Sequence, residues 1–185
     1  MKRGERSREA IVAAMFALVG EGVLEPTAER VAARAGVGLR SVFRHFADME
    51  SLYAALDARL RAEVEPRVAA GEPRGALARR ASALVAQRAR LFERIAPYKR
   101  AANFQRTRSA FVAARHRALV ALLRADLARW LPELANGPDA LADALELATS
   151  FEAWDRLRSD QRLTRERAQR AVERIVRGLL VQSGR

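Results

Sequence analysis

An all-α chain of about nine helices is the fold class this sequence predicts, on three observations. No stretch sustains the period-two alternation of a half-buried strand. Ala, Leu, Arg and Glu, all good helix formers, dominate the chain. Gly, Pro and capping residues then fall at intervals that cut it into helix-length pieces. With 185 residues it is long enough to bury a real core in one domain or two small ones. Helices without a sheet must pack on one another, ridges into grooves.

The punctuation places the helices in order. Ser7 caps a first helix running to about Glu21 and stopped by Gly22. Thr27 caps a short second helix ending at Ala35, with Gly36 where a left-handed residue is needed. A third short helix covers Leu39 to His45. Asp48 caps a fourth, which carries Leu52, Leu56 and Leu60 and ends near Pro66. After Gly71-Glu72-Pro73 a long helix from about Gly75 to Ile95 is expected to break at Pro97, with a short helix from Tyr98 to Phe104 beyond it. The next runs from Arg108 to Leu131 and is ended by Pro132. Asn136-Gly137-Pro138 leads into a helix that starts near Asp139 and reaches about Arg158. Thr164 caps the last, along which Glu166 and Glu173 lie, and Gly184 follows its end.

Composition removes several classes of function. There is no Cys, hence no disulfide, thiolate metal site or Cys nucleophile. Two histidines, His45 and His116, leave little for imidazole metal chemistry, so no metal and no cofactor are expected. The sequence has no Gly-rich phosphate loop, no HExxH, and no Ser nucleophile with a plausible His and acid; an enzyme is not expected. The longest charge-free run, Ala10 to Gly20, has 11 residues against the roughly 20 of a membrane span. Glu5 and Glu9 interrupt the basic stretch before that run and no small-x-small site follows Gly20, which argues against a signal peptide and for a cytoplasmic protein.

Residues 27 to 46 read TAERVAARAGVGLRSVFRHF. Two short helices joined by a tight turn need a small residue where they cross, supplied by Ala32, a turn glycine, Gly36, and apolar plugs, Val37 and Val42. These are helix-turn-helix requirements at the expected offsets, and the second helix is the one that would enter a major groove. Phe43 and Phe46, and Asp48 opening the next helix, strengthen the pattern.

Residues 7 to 60 resemble the N-terminal DNA-binding domain of the TetR family of transcriptional regulators. The resemblance rests on Thr27, Ala32, Ala35-Gly36-Val37, Phe43-Arg44-His45-Phe46 and Glu50-Ser51-Leu52-Tyr53. Length and layout are also similar, as is the stretch Phe151-Glu152-Ala153-Trp154-Asp155-Arg156-Leu157-Arg158. It implies a helix-turn-helix domain over residues 1–47, a connecting helix over 48–66, and a ligand-binding and dimerisation domain over 67–185. It also implies a homodimeric repressor that binds a double-stranded DNA operator and responds to a small-molecule effector. Arg40, Ser41 and Arg44 would contact bases and phosphates, Arg pairing bidentately with guanine. Thr27 would meet a phosphate at a helix N-terminus, with His45 beside it. Two departures stand out: the family usually has Tyr where Phe43 stands and Lys where Met49 stands. Neither Phe nor Met donates a hydrogen bond, so two phosphate contacts are lost and salt dependence should flatten.

The charge map bears on the same point. Net charge is +12, with Lys2 and Lys99 the only lysines, yet residues 1–66 hold ten basic and ten acidic side chains and residues 132–185 nine of each. The excess lies in residues 67–131, with 15 basic and 3 acidic. Whole-chain charge therefore says nothing for DNA binding, which rests on the motif and on the arm Lys2, Arg3, Arg6 and Arg8. The basic middle segment admits three readings: solvated helix faces, an acidic ligand, or further phosphate or anionic-surface contact. His116 lies in the stripe Val112, His116, Leu119, Leu123, Leu127 and Trp130, as a core histidine or a ligand contact. Asn103, Phe104 and Phe111 could line the same cavity.

Val172, Ile175, Val176, Leu179 and Leu180 exceed one stripe against one neighbour, and Gly178 admits a close helix. With Phe151 and Trp154 of the preceding helix they form the expected dimer face, and the resemblance implies a four-helix bundle there, paired across a two-fold axis. The alternative is a helical dimeric interaction or small-molecule-binding protein with weak or lost DNA binding, a reading kept open by the neutral N-terminal region.

Overall fold

The computed structural model describes residues 3–136 and 138–182, so Lys2, Gly137 and Gly184 fall outside the described residues. Among the described residues there are nine α-helices and no strand. They are α1 (Arg3–Gly20), α2 (Ala28–Ala35), α3 (Leu39–His45), α4 (Met49–Ala69), α5 (Leu77–Gln105), α6 (Ala110–Trp130), α7 (Asp139–Ala148), α8 (Phe151–Asp155) and α9 (Arg165–Gln182). None of them is long and apolar enough to cross a membrane.

Several boundaries differ from the sequence expectation, each for a physical reason. α1 begins at Arg3, so Ser7 lies inside it rather than capping it; Glu5 in the first turn favours the earlier start. α4 runs through Pro66 to Ala69. Val64 and Val68, buried one turn apart around that proline, hold the helix together despite the lost hydrogen bond. The amide of Gln87 donates to the carbonyls of Arg67, Val68 and Ala70 at 2.7, 2.9 and 3.0 Å and so satisfies the end of α4. Pro97 does not break α5 either, which is one helix of 29 residues. Phe92, Ile95, Lys99 and Ala101 are all buried, and packing on both sides of Pro97 outweighs the cost of about 3 kcal/mol.

The helix expected from Asp139 to Arg158 is instead divided. The Thr149 hydroxyl donates back to the Leu145 carbonyl at 2.7 Å, and Ser150 Oγ accepts from the Ala153 N–H at 3.1 Å, which caps α8. After α8 the coil widens into a π turn over Arg156–Asp160. A 3₁₀ turn, Pro132–Asn136, occupies the expected loop after α6. Thr164 caps α9 as expected, its Oγ1 accepting from the Arg167 N–H at 3.3 Å.

The chain forms two compact units, Met1–Glu63 with Ile95–Arg117, and Val64–Arg94 with Ala118–Arg185. The first has a core of Ile11, Met15, Leu18, Val19, Val31, Ala32, Val42, Phe46 and Leu52, to which Tyr98 and Ala101 add from α5. Tyr98 stacks on Phe16 with ring centroids 4.5 Å apart. In the second, Phe92 meets Phe151 edge to face at 5.7 Å, among buried Leu84, Leu127, Leu131 and Leu145. Arg88 is also buried there. Its guanidinium donates to the Thr149 carbonyl at 3.0 Å and to the Leu123 carbonyl, and burial pulls its pKa down to about 10.

Candidate nucleic-acid interface

The α2–α3 pair is set by its ends. Thr27 Oγ1 accepts from the Arg30 N–H at 3.3 Å and caps α2. Gly36 closes the helix at φ +66°, a conformation an L side chain adopts only at a cost. The Val37 N–H then reaches the Ala32 carbonyl at 3.1 Å and the Gly36 N–H the Ala33 carbonyl at 3.3 Å, so two orphan carbonyls are satisfied within the turn. Arg34 bonds Glu21, one nitrogen at 3.0 Å, tying α2 to the chain just after α1. Arg34 in turn holds the Glu21 carboxyl below the usual carboxylate range.

Ala32 and Val42 are buried where the two helices face each other, and Val37 packs partly against them, as the motif demands. Phe46 is buried at the end of α3, with the Arg8 guanidinium 5.0 Å above its ring. With Val42 and Phe46 inside, the rest of α3 turns outward. Arg40, Phe43 and Arg44 are exposed, and Ser41 is half-buried between them. This edge joins two guanidiniums, a hydroxyl and an aromatic ring on a rigid seven-residue helix. Such a set suits phosphates and base edges.

The other expected DNA contacts are placed less uniformly. Thr27 is exposed, though its hydroxyl already serves the cap. His45 is half-buried, with Nε2 buried and no hydrogen-bond partner. Met49, in the position where the family usually has Lys, packs partly against the core of its own unit.

Of the expected ligand residues, His116 lies between two cations. Lys99 Nζ is 3.0 Å from its Nδ1 and an Arg106 nitrogen 3.0 Å from its Nε2. The Asn103 amide oxygen is buried with no hydrogen-bond partner. Phe104 is exposed, with the Arg108 guanidinium 5.0 Å over its ring, and Phe111 is half-buried. Lys99 and Arg106 were not foreseen. Lys99 lies near the end of α5 and Arg106 in the turn just after Gln105, and an expected break at Pro97 conceals that they meet at one helix end.

Of the expected dimer residues, Phe151, Trp154 and Val172 are buried within their own unit. Trp154 Nε1 donates to Glu93 at 3.0 Å. Ile175 is 49% exposed, Gly178 is exposed with open space where a Cβ would stand, and Leu179 is half-buried.

Residues 10–56 match the family model described as bacterial regulatory proteins, tetR family. No curated protein matches the chain. Among solved structures, a tetR-family transcriptional regulator from Streptomyces coelicolor is 19% identical with a TM-score of 0.78, over 99% of this chain and 83% of that one. A transcriptional regulator from Rhodococcus sp. Rha1 is 21% identical with a TM-score of 0.71, over 98% of both chains. At these identities the two structures share the fold with this chain. Residues 10–56 thus match the model of the tetR family of bacterial regulatory proteins, and the chain as a whole shares its fold with these two regulator structures.

Proposed function

We propose that the chain is a homodimeric, ligand-responsive repressor that works in the cytoplasm and reads a two-fold DNA operator. The observation that carries this reading is α3 itself. Val42 and Phe46 anchor it, and Arg40, Phe43 and Arg44 stand free on its outer edge. In this reading residues 1–47 read DNA, 48–66 connect, and 67–185 hold the dimer and most of the effector-responsive part. Arg40 and Arg44 contact bases or phosphates, Ser41 and Thr27 contact phosphates, Phe43 packs on the backbone or a thymine methyl, and His45 supports the end of α3.

One recognition helix covers a few base pairs, so a dimer is needed for a site of useful length. Ile175, Gly178 and Leu179 of α9 supply the partner face, since they remain accessible after α9 has packed. Phe151, Trp154 and Val172 support that face from beneath. Asn103, Phe104, Phe111 and His116 form the effector site. An effector acts only if it and the operator prefer different dimer geometries.

The test is a mobility shift with the full chain and duplex DNA from the promoter beside its own gene. Retention that weakens as salt rises, with a slope flattened by the missing donors at Phe43 and Met49, is expected. A folded dimer that retains no DNA at low salt would instead favour an inert helical bundle. That second reading draws on the balanced charge of residues 1–66 and on Phe43 and Met49, which offer phosphates no donor.

A further inference from the structure

The surroundings of His116 carry an inference about what its site binds. A neutral imidazole has one acceptor nitrogen and one N–H; an imidazolium has none and two. Yet both ring nitrogens of His116 have a cationic donor at 3.0 Å, Lys99 Nζ on one side and Arg106 on the other. With Lys99 protonated, at least one of those contacts sets donor against donor whatever the tautomer. Lys99 is also buried. Residues 99 and 103 lie one turn apart on α5, and Arg106 follows directly in the turn after the helix ends at Gln105. Asn103, the middle one, has a buried amide oxygen with no partner. Turned over, that amide would offer an N–H₂ on the same face.

We propose that Lys99, Asn103, Arg106 and His116 form a binding site for a small oxyanion, the carboxylate or phosphate group of an effector. One such group accepts from an ammonium, a guanidinium and an imidazole N–H together, and so turns the donor conflict into charge-assisted hydrogen bonds. The proposal rests on the effector reading above and adds to it a ligand class and two residues, Lys99 and Arg106.

The chain has two histidines, so ring NMR signals of His116 are readily told from those of His45. Titration with inorganic phosphate, and separately with acetate, at constant ionic strength should shift the His116 signals saturably. Arg106→Gln, at a more accessible position than Lys99, should weaken phosphate binding about tenfold without unfolding the chain. Lys99→Met should weaken it at least as much, and the first variant serves if the second fails to fold.

A His116 shift that is linear in salt, or one unchanged by Arg106→Gln, overturns the site. So does displacement of phosphate from His116 by duplex DNA, which would assign the cluster to the nucleic-acid backbone. Operator retention in the same buffers tests the effector reading separately. Saturable binding at His116 with unaltered retention keeps the oxyanion site and removes its regulatory role.

Discussion

Helices α3 and α9 each bury one stripe and leave another face uncovered, and the two uncovered faces differ in chemistry. α3 hides Val42 and presents Arg40, Ser41, Phe43 and Arg44. α9 hides Ala168, Val172 and Val176, spaced four residues apart, yet still presents Ile175 and Val181 at 49% and 60% exposure. The contrast identifies what each face lacks. Exposed guanidiniums are at ease in water and gain most from a polyanion that releases counterions. Exposed aliphatic side chains gain most from a second apolar surface.

An aspartate placed in the buried stripe of α3 and one placed on the open face of α9 should have different consequences. Val42→Asp places an unpaired charge in the core of the α2–α3 pair and should cost several kcal/mol. Thermal unfolding should show that loss, and mobility shift should show no DNA binding. Ile175→Asp should leave the stability of the single chain within about 0.5 kcal/mol. It should nevertheless convert a dimer to a 20.5 kDa monomer in sedimentation. A dimer that survives Ile175→Asp would break the contrast.

Next in size is Arg44→Ala, which should cost about 1–3 kcal/mol of operator binding at one base position if Arg44 reads a base. A loss equal on all sequences would make it a phosphate contact.

The two glycines sharpen the comparison further. Gly36→Ala meets no atom within 4 Å but must adopt φ +66°, a cost of about 1–2 kcal/mol. Gly178→Ala has the same open space in an ordinary helical conformation, so the single chain should gain about 0.5–1 kcal/mol. If a partner helix lies close over Gly178, that gain comes with a weaker dimer, read as a raised dissociation constant.

The smallest effect concerns the approach to α9. Glu93 accepts from Arg158 at 2.8 and 3.0 Å and from Trp154 at 3.0 Å, and Arg158 also donates to the Leu163 carbonyl just before α9. The Arg158 hydrogen bonds hold the Glu93 carboxyl below its ordinary value of 4.5. A lowered carboxylate pKa stabilises the fold at neutral pH and loses that contribution as pH falls below about 4.5. The partly exposed pair should contribute under about 1 kcal/mol. Glu93→Gln should accordingly flatten the acid side of the stability–pH curve.

The helix-turn-helix region was legible because its constraints are local. Thr27, Ala32, Gly36 and Val42 act within a few residues of one another, and each is needed by the turn whatever surrounds it. The extension of α4 past Pro66 and the continuity of α5 through Pro97 are not legible because the forces that oppose each proline are distant. Gln87 completes the end of α4 from another helix, and burial on both sides of Pro97 holds α5 together. The division at Thr149 and Ser150 was open to a closer reading, since a Thr-Ser pair within a helical pattern is a capping signal. The cations around His116 are not legible in the sequence, because a helix continuous through Pro97 is what brings Lys99 to the turn that holds Arg106. Which apolar residues of α9 and α8 face inward was not legible either, since periodicity gives the stripes without saying which neighbour covers each.

Selection of bound duplexes from a random pool by the full chain tests the central claim most directly, that α3 is a sequence-reading edge presented twice. A two-fold symmetric site with half-sites about one helical turn apart, or a multiple of it, should be enriched. Arg44→Ala should erase the same position in both halves. A pool that stays random at low salt, or yields a single unpaired half-site, would contradict it.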